Sequence, residues 1–471
     1  MTALDEAARA PAAPRRGTFF GEPPALGFLA FTEAWERFSY YGMTALLVLY
    51  MTQALLTPAH IGHVAGFATF RAVIEAVFGR MSTIGLASQI NGLYTGFVYF
   101  TPVFGGWLAD RFIGRRNAVV AGALLMSAGH IAMAFDVSFL LALVLLIAGC
   151  GLLKGNISTQ VGELYPEDDH AGRTRGFSIF SIGINVGAVA GPLACGLLAQ
   201  IYGWHAGFGL AGVLMLLALA TYLLGYRYLQ EGTQAHREQA VDTPLVRRDW
   251  ITIGALIVVM ALTIPHSVAY YQNANIGLIW IAANVNLNVL GFHIPVAWFN
   301  SIDSFISIIS VPPLFALWRY QARRGGEPGE IVKIATGAFI AAAANLVLVV
   351  ACLLGGRPSG IFPVVYNVLL GVAFLYYWPT LLALVSRAAP QRMKATMMGS
   401  AFLSLALANT TLGRLGGFYE QMSPTTFWAM NVAIAASGGA LALLLKPALE
   451  RVLNGEATEE ETSEAVSEFS R

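Results

Sequence analysis

Phe31-Thr32-Glu33-Ala34-Trp35-Glu36-Arg37-Phe38-Ser39-Tyr40-Tyr41-Gly42-Met43-Thr44 places three ionisable side chains inside the first long apolar segment of a 471-residue chain. Each would cost about 3 kcal/mol if it faced lipid at mid-membrane. At about 100° per residue, Glu33, Glu36, Arg37, Tyr40, Tyr41 and Thr44 fall within an arc of roughly 140°, so one face of this helix is polar and the other is not. That face must look into protein or an aqueous cavity, and the remaining segments have to shelter it. The plainer alternative is an i, i+4 ion pair of Glu33 with Arg37 that only staples helices together.

Hydrophobic residues make up 56% of the chain and charged residues only 12%, which leaves too little polar surface to cover a water-soluble globule. The chain therefore reads as an integral membrane protein. With a formal net charge of +1 and no basic cluster interleaved with aromatics, nothing points to a nucleic-acid partner. Cys150, Cys195 and Cys352 are odd in number and lie in apolar segments, so they read as small packing residues rather than disulfides or metal ligands. Arg9, Arg15 and Arg16 precede no short apolar core, which argues against a cleaved signal peptide.

Twelve segments are long enough to cross a hydrocarbon core of about 30 Å. They lie near 28–55, 86–108, 117–135, 138–160, 175–200, 205–228, 250–281, 295–319, 331–355, 359–385, 395–419 and 424–446. The expectation is an all-α membrane protein of two six-helix bundles. Its divisions are a cytoplasmic segment 1–25, a bundle 26–229, a cytoplasmic linker 230–249 containing Pro244, a bundle 250–447 and an acidic, disordered tail 448–471. Basic residues concentrate in alternate loops (Arg111, Arg115, Arg116; Arg173, Arg175; Arg237, Arg247, Arg248; Arg319, Arg323, Arg324; Arg387, Arg392, Lys394), which places both termini inside a plasma membrane. The opposite loops hold only Arg71, Arg80 and Arg357. The first of them, 57–85, is long, with an amphipathic stretch at 67–78 suited to the outer interface.

Gly106-Trp107-Leu108-Ala109-Asp110-Arg111-Phe112-Ile113-Gly114-Arg115-Arg116 joins the second and third spans. It resembles the signature loop of the major facilitator superfamily, which speaks to gating. Gly106 would permit close helix approach, Asp110 would meet a helix end across the half, and Arg111 and Arg115 would pair with carboxylates or headgroups around Gly114. The opening helix adds a sharper likeness, since Glu33-x-x-Glu36-Arg37-Phe38-x-Tyr40-Tyr41-Gly42 resembles the signature of the proton-coupled oligopeptide transporter family. Gly149-Cys150-Gly151-Leu152-Leu153-Lys154-Gly155-Asn156 resembles that family's fourth-span lysine motif, and Phe177-Ser178-Ile179-Phe180-Ser181-Ile182-Gly183-Ile184-Asn185 its fifth-span motif.

Lys154 is alone in the interior of its span and needs a carboxylate partner, for which Glu33 or Glu36 is the obvious candidate. Two acids sharing one cation cannot both stay comfortably ionised, so the cluster can take up a proton and release it when a substrate carboxylate competes for Arg37 or Lys154. The resemblance implies the same roles: Glu33, Glu36, Arg37 and Lys154 for proton coupling, with Arg37 and Lys154 near a peptide's carboxyl end. It also implies that Tyr40, Tyr41, Tyr99, Asn185 and Gln272 line the peptide site. No cofactor is expected beyond the coupling protons; the partners are small peptides and the bilayer, and a monomer should suffice.

The second half departs from the family. Thr44 stands where many members carry a second arginine, and Tyr271 where its glutamate partner stands. Phe374 replaces the tenth-span glutamate expected to hold a peptide's amino end, and Ala401 an eleventh-span tryptophan. Asp303 stands where the family has a neutral asparagine. It either supplies a relocated negative charge opposite Arg37 and Lys154 or lies hydrated near the outer mouth. His130, His266 and His293 should each satisfy a local hydrogen bond. Pro192, Pro265, Pro312-Pro313 and Pro379 mark hinges, and Gly187 and Gly191 allow close packing beside Asn185. The sequence supports a proton-driven importer of di- and tripeptides. A carrier of another small anion or zwitterion, such as nitrate or a modified amino acid, and a nontransporting peptide sensor are the rivals. A membrane-embedded enzyme is disfavoured, because no nucleophile and base are paired.

Overall fold

The computed structural model describes residues 18–166, 169–229 and 245–454. Most of the 1–25 segment, most of the linker including Pro244 and Arg237, and the tail from Gly455 onward lie outside them. Helix α1 (Pro24–Tyr50) opens on Pro23-Pro24, where a missing N–H costs nothing, and ends in a π-turn at Met51–Leu55. A short α2 (Phe67–Phe78) follows between Gly66 and Gly79, both at positive φ. The spans then run α3 (Thr83–Leu108), α4 (Arg115–Ala132), α5 (Phe139–Glu163), α6 (His170–Tyr202) and α7 (Trp204–Gly225).

The seventh span breaks into α8 (Arg247–Tyr270) and α9 (Ile276–Asn284) around a 3₁₀ turn at Tyr271–Ala274. The eighth breaks into α10 (Phe299–Ile309) and α11 (Val311–Arg324), bent by 43° where Pro312-Pro313 opens the new helix. Last come α12 (Glu330–Leu353), α13 (Ile361–Ala388), α14 (Lys394–Gly416) and α15 (Pro424–Leu453). A hairpin of β1 (Asn288–Val289) and β2 (Phe292–His293) links α9 to α10.

Twelve spans result, as the hydropathy pattern predicts. Seven helices qualify as membrane-crossing on length and apolarity alone, and the bent α10 and α11 pair makes an eighth. The other four, α1, α3, α4 and α14, fall short on that measure. Two expected boundaries shift. The linker's last residues, Arg247 to Asp249, form the first turn of α8, where the Asp249 carboxylate accepts from Val246 N–H at 3.0 Å. The last helix continues six residues into the supposed tail, because Leu449 and Leu453 bury against the core of the second half.

Within the first half, α1 packs along α6 through glycines. A Cβ on Gly187 would stand 2.7 Å from Arg37 Cβ, and one on Gly191 2.9 Å from Gly42 N. Main chain lies against main chain here, and any side chain would force the helices apart. The two halves meet at the end that carries the 57–82 segment. Trp298 Nε1 donates to Leu193 O (2.8 Å), Ser301 Oγ to Val189 O (2.7 Å) and Gln200 Nε2 to His293 O (2.7 Å). The same end holds a polar clasp inside the first half: the Tyr50 hydroxyl donates to Asp136, while His60 Nδ1 (2.7 Å) and His205 Nε2 (3.3 Å) lie against the same carboxylate. The segment before α2 is tied beside it by Ala65 N–H donating to Val137 O (3.1 Å), while Arg71 pairs along α2 with Glu75 (2.9 Å) and its Nη2 donates to Met81 O.

Candidate functional site

Glu33, Glu36 and Arg37 sit within about one turn of α1, and none of the three is more than 3% exposed. Arg37 Nε lies 3.0 Å from Glu33 Oε1 and is also ion-paired to Glu36. One guanidinium thus serves two carboxylates, so the trio carries a net charge of −1 with both acids ionised and is neutral with one of them protonated. All three are buried from solvent, so that difference is felt strongly. Three of the trio's polar atoms, Glu33 Oε2, Glu36 Oε1 and Arg37 Nη2, have no hydrogen-bond partner, leaving the cluster able to engage a further group.

Lys154 does not close a carboxylate pair as expected. Its Nζ stands 4.5 Å from the centre of the Tyr99 ring, within electrostatic but not contact range of Glu33, and no carboxylate lies within 4.0 Å of it among the described residues. Both acids already hold Arg37, and the tyrosine face shelters the ammonium instead. Tyr40 lies beneath the Arg37 guanidinium at 5.3 Å and edge-on to Tyr41.

Gly187 places the backbone of α6 directly against Arg37. Two residues earlier on the same helix, Asn185 lines an open cavity of about 640 Å³ with Arg173, Thr174, Phe177, Ser178, Ser181 and Ile182, all of α6; the α1 trio, Tyr99 and Lys154 do not line it. The cavity follows α6 toward the end opposite the contacts between the halves. From the second half, Tyr271 brings its hydroxyl 3.4 Å from that of Tyr99. Asp303 on α10 is buried, accepting from Tyr270 Oη (2.8 Å), Asn273 Nδ2 (3.4 Å) and Ser304 Oγ (3.5 Å), and lies within electrostatic reach of Tyr41. Asp303 is thus enclosed by polar groups of the seventh span rather than hydrated in this structure. It is the one buried carboxylate of the second half among the described residues. Phe374 packs against the Tyr270 ring at 6.1 Å, Ala401 is fully enclosed, and Thr44 spends its hydroxyl on Tyr40 O of its own helix.

Several expectations change. Gln272 is fully buried with both amide atoms unpartnered, within the turn that breaks the seventh span rather than on the cavity. The close approach in the signature loop belongs to Gly105, whose Cβ would stand 3.0 Å from Leu152 Cα, whereas Gly106 faces open space; Gly114 serves its turn at φ 77°. Asp110 pairs with Arg115 of its own loop at 3.0 Å, Arg115 also binds Glu163 at the end of α5, and Arg111 stacks on Phe112. His130 and His266 are buried without partners on either ring nitrogen, while His293 meets Asn288 at 2.9 Å. Sequence reasoning missed the Tyr270 and Asn273 cage and the break at 271–275. The polar run Gln272-Asn273-Ala274-Asn275 inside an apolar segment was the available signal.

A family model described as the POT family matches residues 116–242 and 247–429, the greater part of the chain. The chain belongs to the POT family. A peptide transporter of Yersinia enterocolitica, YePEPT, is 30% identical to this POT-family chain, with 93% of this chain and 96% of that protein aligned. A di-/tripeptide transporter of Lactococcus lactis subsp. cremoris is 27% identical over 93% and 97% of the two chains. Among solved structures, a peptide transporter POT in complex with sulfate superposes with a TM-score of 0.80 at 28% identity, covering 96% of this chain and 99% of that one. A point mutant of a peptide transporter POT in complex with alafosfalin gives 0.78 at 29%, covering 93% and 97%. The fold is that of the major facilitator superfamily, and the chain is a multi-pass membrane transporter.

Proposed function

We infer that this chain is a proton-coupled symporter that imports di- and tripeptides by alternating access, as a monomer in a bacterial inner membrane with both termini in the cytoplasm. The observation that carries the reading is the buried trio of Glu33, Glu36 and Arg37 on α1, packed against the helix that carries Asn185, with Lys154 within electrostatic reach of Glu33 and the buried Asp303 within reach of Tyr41. A proton on one carboxylate frees part of the guanidinium, and a peptide carboxylate can then compete for Arg37 and Lys154. Tyr40, Tyr41, Tyr99 and Asn185 supply ring faces and hydrogen bonds along the peptide between the two poles. Relatives named as peptide transporters support the cargo. Basic loops at the open end support an inward-facing arrangement, with the sealed end outside.

The test is uptake into proteoliposomes. Labelled dipeptide should accumulate under an inward proton gradient, carry inward positive charge and dissipate with a protonophore. A counterflow panel of dipeptides, nitrate and single amino acids should show exchange with the peptides alone, and exchange with only the others sinks the reading.

Asp303 is proposed as the amine anchor, since a cationic peptide terminus seeks a desolvated carboxylate. Asp303→Asn should raise the KM for a free dipeptide about tenfold or more, as loss of a charge-assisted bond implies, and leave that for its N-acetylated form unchanged. Equal loss for both ligands assigns Asp303 to packing alone.

A further inference from the structure

We propose that the outer end of the translocation path is held shut by an uncharged latch between α3 and the broken turn of the seventh span, and that Gln89 and Gln272 within the latch keep it openable. This rests on the transport reading above. Three hydrogen bonds form the latch: Asn275 Nδ2 donates to Ser88 Oγ (2.7 Å), Ser88 Oγ donates to Gly413 O (3.0 Å), and Asn91 Nδ2 donates to Ala274 O (3.2 Å). Glycines allow the contact, since a Cβ on Gly92 would stand 2.9 Å from Gly413 Cα. No ion pair joins the two halves at this end among the described residues. Neither Thr44 nor Tyr271 carries a charge that could form one.

Against these bonds stand groups that closure strands. Gln89 adjoins Ser88, and Gln272 belongs to the turn that carries Asn275. Both side chains are fully buried, and neither amide oxygen nor nitrogen has a partner; Asn275 Oδ1 is likewise unmatched. Each such group loses its water when the halves meet, a cost of the same order as the gain from one hydrogen bond. The two sets oppose each other, so the seal stays near balance. It can rock open by rehydrating the glutamines, with no charge neutralised at the gate, while proton and peptide act deeper in the molecule on the α1 trio.

Distances between nitroxide labels at Tyr202 and Leu290 test this. These residues are 74% and 103% exposed on the outer rims of the first and second halves. The background lacks native cysteines and is chosen to retain dipeptide counterflow. Asn275→Ala should raise the open-to-closed ratio by roughly two- to tenfold, as loss of one hydrogen bond implies. Gln89→Leu should lower it by a similar factor, because the stranded amide is gone. A misfolded variant cannot produce both shifts. Raising salt from about 50 mM to about 500 mM should leave the ratio unchanged. A ratio that moves with salt, or variants that shift it in one direction or not at all, overturns the proposal. Failure of the transport reading would show separately, as absence of counterflow with every peptide in the unsubstituted chain.

Discussion

Glu36→Gln should abolish concentrative uptake while peptide counterflow persists. In the unsubstituted trio two acids compete for one guanidinium, so adding a proton changes its net charge from −1 to zero. The amide removes that choice: Glu33 and Arg37, 3.0 Å apart, become a permanent neutral pair, and the site has no titration left to couple to the cycle. Each proton moving inward contributes about 2.3 kcal/mol per 100 mV, enough for roughly fiftyfold accumulation. In Glu36→Gln proteoliposomes the internal to external ratio of labelled dipeptide should fall to about one. Equilibrium exchange needs no net proton movement, so it should continue. Accumulation that survives the substitution would move the coupling site away from this helix.

Gly191→Val and Gly187→Ala should both be severe, for different reasons. At Gly191 a side chain meets Gly42 N at 2.9 Å as well as the carbonyl of Phe38, all backbone and none able to yield. The α1 to α6 seam must then separate, at a cost beyond the 1–3 kcal/mol or so of ordinary overpacking, and little monodisperse protein should be recovered. At Gly187 the added methyl meets Arg37 Cβ at 2.7 Å as well as the backbone of Ala34 and Phe38. Relieving these contacts shifts α1 against α6 and displaces the arginine that both acids share. Uptake should fall about tenfold or more, since 1.4 kcal/mol of mispositioning suffices for that factor, and the thermal transition should fall with it, though less than for the larger Val at Gly191. Gly209→Ala on α7 is the control, because a Cβ there meets nothing within 4 Å. A Gly187→Ala protein with normal uptake would detach the seam from the site.

The parts of this molecule that could be read in advance are those where the membrane imposes a single answer. Charge inside an apolar segment must be gathered and hidden, which is why Glu33, Glu36 and Arg37 announced a buried cluster. Gly187 and Gly191, one turn apart in the fifth span, announced close packing for a similar reason. How the charges divide was not legible. Lys154 took the face of Tyr99 because its presumed partners were engaged by Arg37, four residues and one residue along their own helix, a matter of side-chain competition that span-level reasoning cannot rank. Apolarity hid the break at Tyr271–Ala274, since the segments on both sides are hydrophobic enough to read as one span. Nor could Asp303 be placed without Tyr270 and Asn273, which reach it from a helix some thirty positions earlier.

The clasp on Asp136 has a practical use. By tying Tyr50, His60 and His205 together it turns the excursion after α1 into a firm landmark on the N-terminal bundle. A single-domain antibody selected against that landmark would travel with its bundle through every stage of the cycle without trapping any of them. Its tilt against the detergent micelle in single-particle images would then read out the rocking angle of a chain otherwise too small and featureless to orient.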